Sequence, residues 1–534
     1  MNSSPSIFLF WCTALIIGCG SDFGTVKRNC TAVDRLPEIT PDYAGVTIPP
    51  NIAPLHFSLG DSSVACIAEI ASVKGSPVTV RGKNGAIRIA AAAWKRLVSE
   101  NAGNPLHITI YARGKREGWR RYRTIENVIA AEPVDRYCTY RLLNFQYSYW
   151  RDLRICQRDL SSFTEKELVS TLNYTQKYTR SDAQNDARNQ AQNRAFKCVN
   201  CHIPMNNDPD RFVLQLRSIA YGSETLIADG DSITTLSSRL GHAAWHPTGR
   251  YIAFAIYKVQ QYFHAVGRQP IDVYDNNSGI VMYSVTDRKV ISVPQLDREG
   301  VLETWPAWAP DGRHLYFCAA PVPWSDYSKE PPDNFNKTKY SLLRIAYDPD
   351  RNSWGNVDTV LSAGQTGRSM ALPRISPDNR FCLFCMQDFG PYPYIESTSD
   401  LYLMDIGTRQ YDKLPVNSQY TESWHSWSTN GRWILFSSRR GDGIFTRLYI
   451  SHIDSAGNAG KPFVLPQRDP AFYDSFTKCF NVAEFAVAPV RFSERKLFKA
   501  IQARHSMTVP VPETPAFSGG APKSNDWMYG GGRE

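Results

Sequence analysis

Residues 305–318 read WPAWAPDGRHLYFC. An aromatic residue, a proline and an Asp-Gly pair precede an arginine and an alternating apolar run. The proline suits the first central position of a tight turn, and the glycine suits positive φ. The run that follows puts Leu315 and Phe317 on one face of a strand. The same register recurs without gaps in HAAWHPTGRYIAFA (242–255), LPRISPDNRFCLFC (372–385) and WHSWSTNGRWILFS (424–437). Trp245, Trp308 and Trp427 stand just before the turn, and Asn379 replaces the glycine in one copy. A second hairpin follows each copy, as in IVMYSVTDRKVISV and DLYLMDIGTRQYDKL.

Several short strands per unit, at a period of about 50–65 residues, predict a β-propeller. Four blades are clear. FVLQLRS and ETLIADG near 212–230, and the stretch 470–495, supply parts of others. The expectation is six blades over 211–500. WAPDGRHLYF resembles the repeats of TolB-like, PD40-type propellers, and that resemblance implies the same fold.

The chain holds 534 residues, too many for one core. Its net charge of +9 is modest and dispersed, which argues against nucleic acid as a partner. Short alternating runs between 55 and 135 predict a small β-rich domain with one helix in AIRIAAAAWKRLVSE. The prolines at 49, 50 and 54 make 19–54 an extended linker. ARGKREGWRRYR reads as a solvated hairpin tip. Thr164 and Glu167 have capping-box spacing, so 137–210 reads as helical or irregular. The Pro/Gly-rich stretch 501–534 reads as a disordered tail.

The first residues, MNSSPSIFLFWCTALIIGCGSD, carry an apolar run too short to span a bilayer. It reads as a signal peptide over 1–18. Ile16-Ile17-Gly18-Cys19 resembles a lipobox, although no Lys or Arg precedes the run. Lipidation of Cys19 would anchor the protein to a membrane of the cell envelope. Of the other cysteines, Cys318, Cys382 and Cys385 sit in apolar strand patterns and read as buried hydrophobes.

Between the β-rich domain and the propeller lies CVNCH, 198–202. In a c-type haem, two thiols bond the porphyrin and the adjacent histidine binds iron. Cys198 and Cys201 are the candidate thioether positions and His202 the candidate iron ligand, the one metal-binding residue predicted. A redox pair would need a βαβ context and zinc a second ligand pair, and the sequence offers neither. Met205 follows too closely to reach the other face of the porphyrin. His242, His246, His314 and His425 fall in or beside the repeats and read as packed or surface residues.

The set PDYAGVTIPPNIAPLHF, ICQRDLSSF, CVNCH, WPAWAPDGRHLYFC and FNVAEFAVAPV resembles a family of exported TolB-like propeller lipoproteins of Bacteroidetes-type bacteria. The resemblance covers most of the chain after residue 40. It implies one covalent haem c on a lipid-anchored propeller. Where that family has His-x-Arg in a following strand, this chain has Gln215-Leu216-Arg217, which leaves the distal ligand open.

Two functions follow as expectations. One is a monohaem protein that passes electrons or senses redox state, with the propeller as a docking platform for a redox partner. The other is an envelope scaffold that binds partner proteins, with haem structural or vestigial. No G-x-S-x-G, H-E-x-x-H or Walker A motif occurs, and the reading leans away from an enzyme.

Overall fold

The computed structural model describes residues 22–60, 65–145, 152–171, 196–218, 222–236, 240–264, 271–296, 298–324 and 331–503. The signal segment, Cys19 and the tail beyond residue 503 lie outside the described residues, as does most of the polar stretch before CVNCH. Among the described residues no helix is long and apolar enough to cross a membrane.

Six four-stranded antiparallel sheets are described. Blade 1 joins Tyr137–Asn144, Arg154–Asp159 and Glu165–Ser170 to a late strand, Lys478–Ala486. Blade 2 runs from Phe196 to Leu236, blade 3 from Leu240 to Ile291 and blade 4 from Val301 to Leu361. Blade 5 spans Ser369–Lys413 and blade 6 Glu422–Val464. The innermost strands of the six sheets touch one another in a closed ring. The chain is therefore a six-bladed β-propeller. Blade 1 closes it by pairing strands from the two ends of the propeller sequence, Thr139 opposite Glu484 and Leu142 opposite Phe480.

The repeat turns form as their residues dictate. Gly249, Gly312 and Gly431 have φ of 74°, 69° and 66°, and Asn379 takes 60° in the same place. Each N–H closes the turn onto a carbonyl three residues back, as from Gly312 to Ala309 at 2.9 Å. A feature the sequence did not reveal recurs beside them: every innermost strand breaks register near its middle, and that of blade 2 also breaks near both ends. The breaks fall between Asn200 and Ile203, Leu240 and Ala243, Thr304 and Ala307, Ala371 and Arg374, and Ser423 and His425, and opposite Thr139–Arg141 in blade 1. Trp305, Leu372, Trp424 and Val482 take positive φ there. Such bulges bend and twist a strand, which lets it run along the propeller axis.

Three boundaries differ from the sequence reading. The stretch 19–54 is not a linker: Thr31–Val33, Ile39–Thr40 and Thr47–Ile48 pair into the sheets of the small domain. Ile48, Ile52 and Leu55 are buried there, which the prolines alone could not reveal. The described residues of 137–210 form strands rather than a helical insert, and the propeller begins at Tyr137 rather than at 211. Glu165–Ser170 is an outer strand, since pairing with Arg154–Asp159 overrides the local capping signal. CVNCH lies in the innermost strand of blade 2, Phe196–Met205.

The small domain has a seven-stranded and a three-stranded sheet. Its helix, Ala91–Glu100, buries Trp94, Leu97 and Val98 on one face. Its core is continuous with Trp433, Leu435, Ile450 and Phe463 of blade 6. The Asp135 carboxylate fixes the connection, accepting from Asn207 Nδ2 at 2.8 Å, from the Thr429 N–H at 2.9 Å and from the Thr429 hydroxyl at 2.5 Å. The domain is thereby held beside one mouth of the propeller.

Candidate functional site

The inner strands end in turns around one axial mouth. There all six blades line a single funnel of about 250 Å³. Its walls include Trp245, Trp308 and Trp427 with Pro204, Pro247, Pro310 and Pro377. The tryptophan that recurs in the sequence repeats is thus the residue that builds the funnel. Trp245 Nε1 donates to the Ile203 carbonyl at 3.3 Å, and Trp427 Nε1 to the Arg374 carbonyl at 3.1 Å. These bonds tie each indole to the preceding blade. The Trp308 N–H is buried without an acceptor among the described residues.

One ion pair, Arg374 with Glu484, lies among the funnel residues, N to O 2.5 Å. Trp424 Nε1 also donates to Glu484, at 3.3 Å. Burial raises the Glu484 carboxyl above its usual range, and Arg374 and the Trp424 N–H pull it back. Sequence reasoning missed both charged residues, since they stand where other blades carry Ala or Ser.

Cys198, Cys201 and His202 occupy a strand rather than a turn of helix. Three residues of strand extend about 10 Å. Cys198 is 2 % exposed and pairs with Arg217 across the hairpin, and Cys201 and His202 fall within the bulge. His202 is buried, and among the described residues its nearest polar neighbour is the Thr139 backbone of blade 1. Burial lowers its pKa to about 3, which keeps the imidazole neutral. Its surroundings are apolar, with Ile155, Leu168, Phe212 and Phe492.

A neutral imidazole in an apolar setting is suitable as an iron ligand. The space is not suitable. The cavity against His202 measures about 30 Å³, whereas a pocket for a ligand of cofactor size needs roughly 300 Å³ or more. As folded here, the residues do not fit a haem. Gln215 also turns away: its Nε2 donates to the Gly241 carbonyl of blade 3, while Leu214 faces His202. Met205 is buried in the propeller core.

The repeat histidines are packed, as the sequence suggested. His246 bonds Thr248 and the Gly312 carbonyl, and His425 Nε2 meets the Leu383 carbonyl at 3.0 Å. His242 stacks on Trp305. Cys318, Cys382 and Cys385 are fully buried. Among the described residues no group of three or more His, Cys, Asp or Glu is arranged to hold a metal ion.

No family model matches the chain, and no curated protein matches it. Among solved structures it is similar to TolB from Acinetobacter baumannii, at 13 % identity and a TM-score of 0.38, over 75 % of this chain and 86 % of that one. It is similar also to hydrazine synthase from Kuenenia stuttgartiensis, at 12 % identity and TM-score 0.27, over 48 % and 64 % of the two chains. A 6-phosphogluconolactonase-like protein from Bacteroides uniformis gives 10 % identity and TM-score 0.30, over 80 % and 99 %. These similarities are too distant to speak to activity or partner.

Proposed function

We propose that this chain is a binding scaffold of the cell envelope, exported and lipid-anchored at Cys19, whose propeller docks a segment of a partner protein. The observation that carries the reading is the funnel. Six strands far apart in sequence converge on one concave surface rich in indole and proline. Such a surface, rigidly held and poor in charge, suits an extended peptide with apolar or aromatic side chains. The small domain clamped beside the mouth through Asp135 offers the partner a second wall.

Electron transfer is the lesser reading. The buried, neutral imidazole of His202 speaks for it and the narrow space beside that ring speaks against it.

The test replaces Pro310 and Pro377, at the funnel rim, by arginine in the full-length protein. Partners co-isolated with the wild type should be lost from P310R/P377R and kept with Arg351→Glu, a change at a solvent-exposed hairpin turn. Equal recovery from all three would place binding elsewhere.

A further inference from the structure

The small domain gathers basic residues at one end. Its strands Pro105–Arg113 and Trp119–Tyr122 form a hairpin, with Arg113 opposite Trp119. The stretch 112–123 that turns it holds six basic residues and one acid, Glu117. Arg113, Lys115, Arg116, Arg121 and Arg123 are exposed. Glu117 is engaged by Arg120, at 2.8 Å. A short helix, Phe23–Asn29, packs on the same end. Its Phe23 ring meets that of Tyr111 at 5.4 Å between centroids, and Val26 is buried with Ile67 and Tyr111. The helix adds Lys27 and Arg28, both exposed, and Lys27 engages the Glu69 carboxylate. The strand that follows, Thr31–Val33, runs parallel to Trp119–Tyr122.

Two features bear on what this end meets. The first is its distance from Cys19. Three residue steps separate Cys19 from Asp22, the cap of the helix, a reach of at most about 11 Å. An acyl chain on Cys19 would therefore bring the helix and the basic hairpin to the level of the lipid headgroups. The second is direction. Pro105–Arg113 runs nine residues, about 30 Å, away from the tip. At its far end Pro105 pairs with Val128. The chain leads on from there to Glu132 and Pro133, whose carbonyls accept from Trp433 Nε1 and Asn430 Nδ2 of blade 6. The basic tip and the joint with the propeller lie at opposite ends of one strand.

We propose, resting on the reading of Cys19 as the lipid anchor, that this end of the small domain lies on the anionic phospholipid headgroups of the same membrane. The propeller is then held on the side away from the bilayer. Each basic residue near an anionic surface is worth roughly a fivefold change in partition, and the attraction falls off within a Debye length. The exposed residues of the hairpin tip are close enough to act together. They add to acyl insertion and turn a point tether into a fixed orientation. Headgroups are favoured over a polyanion in solution because Cys19 brings them to the patch.

The test places a photo-crosslinking amino acid at Lys115 of the full-length exported protein, and separately at Val73. Val73 is 68 % exposed and lies at the far end of the same domain, where the Ser72 hydroxyl donates to the Pro105 carbonyl. Irradiated envelopes should give a phospholipid adduct from Lys115 and none from Val73. R113E/R116E/R121E should lower that yield by about tenfold or more, and about 0.5 M salt should also lower it. If the triple variant fails to fold, Arg116→Glu alone serves, with a loss of about fivefold. A protein or polysaccharide adduct in place of lipid, equal yields at the two positions, or a yield that charge reversal leaves unchanged would overturn the proposal. Intact mass scores the anchor separately. Acylated protein without a lipid adduct at Lys115 overturns this contact alone. Unacylated protein that still gives the adduct overturns the anchor alone, and unacylated protein without it overturns both.

Discussion

Arg374 of blade 5 meets Glu484 of blade 1, past the intervening blade 6. The pair spans the inside of the ring rather than a seam between neighbours, and Trp424 of blade 6 completes it. It joins the closing strand to a blade formed entirely from mid-chain sequence. Glu484→Gln leaves the Arg374 guanidinium, with its side chain 22 % exposed, facing a neutral amide. The expected loss is about 3 kcal/mol of stability. Denaturant midpoints of the two proteins measure it, and an unchanged midpoint would mean that the pair does not secure the closure.

Acid should destabilise the fold through three histidines. Burial lowers His202, His242 and His425 to about 3. The unfolded chain takes up their protons from about pH 6.5 downward, and the folded one does not until near 3. Their contribution is therefore complete above pH 6.5 and falls away as pH drops toward 3. His425→Gln should show a shallower fall between pH 7 and 4 than the wild type. Parallel curves would show that His425 protonates freely in the folded state.

Asp275 works in the opposite direction. Burial in blade 3 pushes its carboxyl up to about 7, with the Tyr340 hydroxyl at 3.5 Å. The folded state holds this proton where the unfolded state has released it, so stability present below pH 4 is lost as pH rises through 7. Asp275→Asn removes that loss. The stability of the variant relative to wild type should grow between pH 4 and 8, by at most about 4 kcal/mol. A difference independent of pH would contradict a protonated Asp275.

The architecture was largely legible in the sequence because the turns are chemically strict. Gly and Asn adopt the positive φ of Gly312 and Asn379 at the least cost, so the repeat shows through. Blade 1 was hidden because its strands come from opposite ends of the propeller and its closing strand lacks the repeat turn. The funnel was legible in part: Trp245, Trp308 and Trp427 stood out, whereas Arg374 and Glu484 acquire meaning only when two distant strands meet. CVNCH misled on local structure, since cysteine, valine and histidine are also good residues for a buried strand.

Haem content follows from that strand. Protein produced with c-type maturation should show the unmodified polypeptide mass at Cys198 and Cys201, and the same Tm as protein produced without it. A covalent haem adduct in stoichiometric yield would mean that Phe196–Met205 leaves blade 2 in the mature protein.

The most direct test of the scaffold account places a photo-crosslinking amino acid at Pro310, on the funnel rim, and separately at Arg351, whose side chain is 82 % exposed away from it. Irradiation of intact cells should give a discrete protein adduct from Pro310 and none from Arg351. Adducts from Arg351 alone, or from neither position, would contradict the funnel as the docking surface.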